Sequence, residues 1–549
     1  MKIFCLLIAS LFMGFAWLSP FHDQPWVTFS SEIATFFAGL ILLTIFFNQP
    51  LRIPKIQLWV LPFVFIPLLQ WSLGLVFDFG HALVSTLYLF GFWLMIILGF
   101  NLSIEPNERK KLMQYISYLL LGISLICSLF AMTQWLGMSV SGVMRLEGSR
   151  PYANFGQPNN LATFLILGIL GGIYLYEIFK ISPYFLIPIN ILNLFVVALT
   201  QSRTSWIVCI FICLYWGYKT YKKNPRTGTS ILCIWGGFYL VLVVIGVKIL
   251  TNLIGFYTQF EVIELQSAIE RVSSGYLRFD IWTQMLLALK EQGVFGYGWN
   301  QASIAQMSVF HLHPSVEWVS SAHNIILDLL IWNGIPLGLL IVGAILIWFL
   351  WLNKNIDDTV SIVAMLMVGT VFIHSMLEFP YRYAYFLLPV GLLLGVIQAQ
   401  TPLLKSLLID KIIIRFYGVI FFIITLLIWR DYKICHAQLK VLSTQQSVDS
   451  EIMGSSRVIF LNQFSDLIQW AWFNPLTKMS DEQLQMVDQI VKKNPTMYNL
   501  GKYSMLLVYN NKNKMAEDQL YILNHLYRQS IHVSDIVEIN KKALQRHDY

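Results

Sequence analysis

SSAHNIILDLLIWNGIPLGLLIVGAILIWFLWL, residues 320–352, carries two messages in one run. No charge interrupts 335–352, and at about 1.5 Å of rise per residue such a helix is long enough to cross the hydrocarbon core of a bilayer. Ahead of it His323, Asn324 and Asp328 stand in an equally apolar neighbourhood, and Asn333-Gly334 with Pro336 just beyond separates the two halves. The piece from His323 to Trp332 is too short to span. It reads as an external helix half-sunk in the membrane interface, with Asp328 on its wetter side. Its N-terminus presents free N–H groups and the positive end of the helix dipole, a favourable place beside an anion.

The rest of the chain repeats the apolar message. Of 549 residues, 56% are hydrophobic and 12% charged. A soluble domain cannot hide that much apolar surface, so lipid is the solvent. Apolar runs of about 17–25 residues recur to about residue 429. The fold expected is all-α: a polytopic helical membrane protein of about 12–13 transmembrane helices. Thirteen spans fit the alternation of charge, the third over about 56–74 and the last over about 412–429. MKIFCLLIASLFMGFAWLSP resembles a signal peptide but lacks a small-residue cleavage site, and reads as an uncleaved first span. Five of the six cysteines lie in apolar runs, where they act as small hydrophobes, and no disulfide framework is implied.

Charge sets the orientation. One alternating set of loops holds Lys2; Arg52 and Lys55; Arg109, Lys110 and Lys111; Lys180; Lys219, Lys222, Lys223 and Arg226; Lys354; Lys405 and Lys411. The positive-inside rule places this set in the cytoplasm. The +7 net charge is thus mostly a topology signal and not a nucleic-acid footprint. The organisation expected is an N-terminal bundle over 1–250, a large periplasmic loop over 251–334, further membrane helices over 335–429, and a soluble domain over 430–549 on the periplasmic side. That last domain reads as a stack of helical hairpins of TPR-like kind. Ser480–Gln483 (SDEQ) has a capping-box pattern, and Asn-Pro pairs at 474–475 and 494–495 punctuate the helices.

Chemistry-bearing residues gather on the outer side. The span interiors show no series of midplane carboxylates and no pair of matching broken helices, which weighs against a transporter or lipid-linked-oligosaccharide flippase. Arg203 lies in the tight connection TQSRTSW; Arg271 and Arg278 bracket an amphipathic stretch; Glu378 lies near Arg382 in HSMLEFPYRYAYFLLP. Taken singly, these are compatible with a snorkelling Arg, a solvated helix face, an interfacial ion pair and a hydrogen-bonded interfacial His. GYGWN at 296–300 lacks the strand and third glycine of a dinucleotide site. Together, several arginines, one histidine and one acid above a lipid-filled scaffold suit a reaction on a lipid-linked phosphate. Guanidinium forks pair with phosphate oxygens, and an imidazole can take a proton from an attacking hydroxyl.

Five stretches carry a resemblance: PYANFGQPNNLATFL (151–165), ALTQSRTSW (198–206), LRFDIWTQMLLALKEQGVFGYGWNQ (277–301), SSAHNIILDLLIWNGIPLG (320–338) and HSMLEFPYRYAYFLLP (374–389). The chain resembles the pilin-glycosylation ligases, the PglL-like bacterial protein O-oligosaccharyltransferases of the O-antigen ligase and polymerase superfamily. The resemblance implies a glycosyltransferase of the Gram-negative inner membrane. It would move a preassembled glycan from undecaprenyl diphosphate to a Ser or Thr of pilin or another exported protein, without cofactor or metal. It also implies that His323 activates the acceptor hydroxyl while Arg203 and Arg278 hold the diphosphate. Gln157, Asn159, Asn160, Arg271, Asn324, Glu378 and Tyr383 are the accompanying substrate-binding candidates. An O-antigen ligase that glycosylates lipopolysaccharide core is the neighbouring reading.

Overall fold

A computed structural model describes residues 1–257, 276–401, 405–444 and 457–547. The described residues are predominantly helical, with one pair of short strands, as an apolar chain in lipid must be to satisfy its own backbone. Among the described residues, six helices are long and apolar enough to cross a membrane: Phe79–Leu102, Pro106–Trp135, Pro158–Glu177, Thr229–Gly255, Ile325–Lys354 and Lys411–Leu442. Five shorter apolar helices, Lys2–Leu18, Phe29–Thr44, Pro183–Leu199, Thr359–Ser375 and Ala384–Gln398, join them. The span expected over 56–74 is not one helix. It is broken into Lys55–Leu58, Leu61–Val64 and Ile66–Ser72, because Pro62 and Pro67 each remove an N–H and clash with the preceding turn.

Two compact units divide the chain. The first comprises Met1–Val64, Tyr88–Ser274 and Leu346–Leu426; the second comprises Phe65–Leu87, Gly275–Ile345 and Leu427–Tyr549.

In the first unit the Pro158–Glu177 helix is the most enclosed, with Leu161, Phe164, Leu165 and Leu170 fully buried. Its apolar character all round is what a helix inside a bundle requires. Gly168 allows the close approach: a Cβ there would stand 2.2 Å from Ser124 Oγ on the Pro106–Trp135 helix. The basic loops converge on one end of this unit. Lys2 pairs with Glu108 at 2.5 Å, Arg109 with Asp358 at 2.5 Å and Lys223 with Asp357 at 2.5 Å. Leu51–Pro54 pairs antiparallel with Ser406–Ile409, tying the Arg52 loop to the Lys405 loop. Loops assigned to one side by charge are thus joined to one another.

In the second unit the C-terminal helices Asn462–Trp472, Asp481–Lys493, Met497–Tyr509, Asn513–Tyr527 and Val533–His547 stack around Leu484, Val491, Tyr503, Leu506, Leu507 and Leu523. Met307 and Phe310 belong to the same core. The capping box forms, with Ser480 Oγ accepting from Gln483 N and Gln483 Oε1 from Ser480 N. Thr496, after the Asn494-Pro495 pair, caps the next helix by accepting from Asn499 N. Asp431, fully buried, accepts from the backbone N–H groups of Ile459, Phe460 and Leu461. Gly80 N donates to Asn462 Oδ1, and Lys493 pairs with Asp78.

Candidate active site

The stretch 320–352 folds into a broken helix. Ile325–Lys354 is interrupted at Gly334, where φ is 74° and ψ 170°. Pro336 has no N–H to offer the carbonyl of Trp332, so that carbonyl takes Gly298 N at 3.1 Å and Gln70 Nε2 at 2.9 Å. Ile331 O takes Tyr297 N at 2.8 Å, and Gly293 O takes Ile335 N at 2.7 Å. The freed backbone groups are therefore met by the VFGYGW turn and by one glutamine from the broken third segment. Gly296 and Gly298, both at positive φ, belong to that turn.

The front half of the helix is mounted on an aspartate. Asp328 is completely buried, which corrects the expectation of a wetter side. Its two carboxyl oxygens accept from Ser321 Oγ at 2.6 Å and Ala322 N at 2.8 Å. Ser321 Oγ in turn accepts from His323 N at 3.1 Å. Asn324 caps the helix, its Oδ1 accepting from Ile326 N and Leu327 N. His323 itself sits at φ +53°, a left-handed backbone uncommon for a non-glycine residue. Trp282 Nε1, on the Tyr276–Glu291 helix, donates to Ala322 O at 3.0 Å. Arg278 lies four residues before Trp282, on the same helical face. The second unit thus brings His323, Asn324 and Arg278 into one substructure, with imidazole and guanidinium carried on elements bolted together next to His323.

The first unit assembles the other candidates. Pro158 opens the Pro158–Glu177 helix, and Gln157 at its N-cap makes no side-chain capping bond. Gln157 Nε2 donates instead to Glu378 Oε2 at 3.3 Å, and Asn159 Nδ2 donates to Glu378 Oε1 at 3.0 Å. Arg150 spans from Asn159 Oδ1 at 3.2 Å to Thr200 O at 2.7 Å, at the turn leading to Arg203. Within that turn Gln201 has φ +50°. The hydroxyl of Ser202, at the N-cap, is buried without a partner. Arg203 is the first residue of the following helix, a cation at the positive end of its dipole. Among the described residues no acidic side chain pairs with it, and an anion is the ligand this position favours. Asn160 is buried with both amide atoms lacking a well-formed hydrogen bond, beside the hydroxyls of Tyr383 and Tyr385. Tyr383 occupies the N-cap position of the Ala384–Gln398 helix and stacks on Tyr385, the ring centroids 5.2 Å apart. Arg271 lies outside the described residues.

A model of the O-antigen ligase family matches 188–342, which holds Arg203, Arg278 and His323. A protein glycosylation ligase model matches 151–176, with Gln157, Asn159 and Asn160. A model described as virulence factor membrane-bound polymerase, C-terminal, matches 362–537, with Glu378 and Tyr383. A general O-oligosaccharyltransferase of Acinetobacter baylyi is 42% identical over 99% of this chain and 96% of its own length. The chain belongs to the O-oligosaccharyltransferase family. A ComP-specific O-oligosaccharyltransferase of the same organism is 30% identical over 73% of this chain and 72% of its own. This oligosaccharyltransferase is therefore a membrane glycosyltransferase of protein O-glycosylation, working between a lipid-linked glycan and an acceptor protein.

Four residues that hold these candidates in place carry little signal in the sequence. Asp328 was seen but misplaced; an acid inside an apolar run is a signal of enforced burial. Ser321 and Gln70 carry no local signature, since their partners are remote backbone groups. Arg150 looked like any loop arginine until Asn159 and Thr200 stood on either side of it.

Proposed function

We propose that this oligosaccharyltransferase transfers a preassembled glycan en bloc from undecaprenyl diphosphate to a Ser or Thr of pilin or another exported protein, at the periplasmic face of the inner membrane. In the step proposed, the acceptor hydroxyl oxygen attacks the anomeric carbon. The bond from that carbon to the diphosphate oxygen breaks as the new bond forms, so the anomeric centre inverts. His323 takes the hydroxyl proton as general base. Arg203 and Arg278 receive the charge that builds on the departing diphosphate. Gln157, Asn159, Asn160, Asn324, Glu378 and Tyr383 orient sugar or acceptor. The observation that carries this reading is the left-handed turn at His323, held by a buried carboxylate and tied to the helix of Arg278. Strain maintained at such cost is a feature of functional positions.

The test is the intact mass of a pilin co-expressed with this chain and a lipid-linked glycan pathway. Glycosylated Ser or Thr with the natural chain, and unmodified pilin with a His323→Ala chain that still inserts, is the expected result. Full modification by His323→Ala removes His323 as base. The match over 188–342 also favours a second reading, transfer to lipopolysaccharide core. Loss of O-antigen with unchanged pilin mass in a deletion strain would establish it in place of the first.

A further inference from the structure

The second unit carries large apolar side chains that no described residue covers, on short helices and a turn outside the long spans. Val294 and Phe295 are 65% and 68% exposed at the tip after the Tyr276–Glu291 helix. Leu69 and Leu73, on the broken third segment, are 58% and 68% exposed. Phe279 and Leu286, seven residues apart on one face of the Tyr276–Glu291 helix, are also exposed. A scatter of single apolar residues would mean nothing. These are concentrated on two adjoining segments, with polar residues Lys290, Glu291 and Gln292 immediately before the tip.

Their position relative to the span says what covers them. Ile335 N bonds to Gly293 O and Tyr297 N to Ile331 O, so Val294 and Phe295 lie against the break in the Ile325–Lys354 helix. A Cβ at Gly334 would stand 2.2 Å from Val294 O. Gln70 binds Trp332 O and Asn333 Oδ1 at the same break and accepts from Trp299 N, which sets Leu69 and Leu73 beside it. Just past the break the helix exposes Leu339 and Leu340, the surface of an apolar span. Both groups of exposed side chains therefore continue, at the level of residue 334, the lipid-facing surface of the span. Trp71, partly exposed and packed edge-on against Phe79, is the kind of side chain favoured at a membrane–water interface.

We infer that residues 65–77 and the 276–297 lobe form a lipid-seated platform, with Leu69, Leu73, Val294 and Phe295 among the acyl chains of the leaflet that the span enters. The outer face of the Tyr276–Glu291 helix lies along the interface as an amphipathic element. The occupant of this surface is phospholipid. The platform holds the helix of Arg278 and the loop of His323 at the depth where a lipid-borne headgroup emerges.

The full-length protein in nanodiscs tests this. An environment-sensitive fluorophore is attached to Phe295→Cys, Leu73→Cys or Lys514→Cys in a Cys233→Ser background, the parent chain labelled identically setting the baseline. With doxyl-labelled phospholipid, emission from positions 295 and 73 is expected to be blue-shifted and quenched several-fold more than from position 514. The two labels sit on separate segments, so one variant that fails to insert leaves the other to report. Quenching at 295 or 73 no greater than at 514 overturns the platform. Crosslinking of an unquenched 295 label to a second copy or to an acceptor protein also overturns it, by naming a protein occupant.

Discussion

Asp328 illustrates how one side chain converts local conflict into a usable geometry. A buried carboxyl is costly unless its oxygens are met, and here Ser321 and Ala322 meet them with the residues that precede His323. Asp328→Ala is expected to leave the chain inserted but to cut turnover by about tenfold or more, since each tenfold costs only about 1.4 kcal/mol of lost positioning. Asp328→Asn, which keeps an acceptor for Ala322 N, should recover part of it. A glycan-transfer assay with matched amounts of inserted protein reads both, and equal activity of Asp328→Ala and the natural chain would remove the positioning role. Arg203→Lys and Arg278→Lys should each lose most activity, because an ammonium cannot reproduce the guanidinium fork. Elsewhere Lys502, almost wholly buried, donates to Trp470 O at 2.7 Å, Ala471 O at 2.9 Å and Tyr498 Oη at 3.2 Å. Burial pushes its ammonium down from 10.5 to about 8. Between those values the unfolded chain binds one more proton than the folded chain, so stability contributed at this site rises with pH across the window. Hydrogen exchange of the C-terminal helices should slow as pH is raised through it, after correction for intrinsic rates, and Lys502→Met should abolish that slope.

At the scale of elements, the break in Ile325–Lys354 is the organising event. It ends the short front helix, begins the long apolar one and frees carbonyls that recruit the 293–298 turn and Gln70. Gly334→Ala forces a side chain into a left-handed residue and against Val294 O. The backbone strain alone costs about 1–3 kcal/mol, and the thermal midpoint of the detergent-solubilised protein should fall accordingly. Gln70→Leu leaves Trp299 N and a share of Trp332 O unmet and should destabilise by about 1–3 kcal/mol. The third apolar run reads as a span in sequence, yet the structure breaks it into three short helices. Its hydropathy is that of a membrane helix, but Pro62 and Pro67 cut it, and Gln70 has a buried destination that no local pattern announces.

For the molecule as a whole, the second unit is sewn from three distant stretches of chain. The C-terminal helices share their core with Met307 and Phe310 of the stretch that carries His323. They also hold the 65–87 stretch through Asn462 and Lys493. Truncation after Thr444 should therefore abolish transfer and shorten the lifetime of the remaining protein, not merely trim an appendage. Glycan transfer and protease resistance of the truncated chain in vesicles measure both; retained activity would show the His323 loop to be self-supporting.

Composition and periodicity by themselves determined that the protein is helical, polytopic and lipid-solvated, with a capped helical stack at its C-terminal end. Those properties depend on sums over many residues, which a linear reading captures. Arg203, Arg278, His323 and Glu378 stand out locally as charged or titratable groups in apolar surroundings, whereas Gln157 enters only through the family resemblance. Tertiary structure alone decided that Asp328 is buried beneath His323, that Gln70 seals the helix break, and that Arg150 links Asn159 to the Arg203 turn. Each of these rests on hydrogen bonds to partners remote in sequence or to backbone carbonyls, which have no side-chain identity to read. The stretch at 320–352 is therefore a catalytic candidate on a locked mount followed by a span, and only folding shows that the mount is an aspartate in the dark.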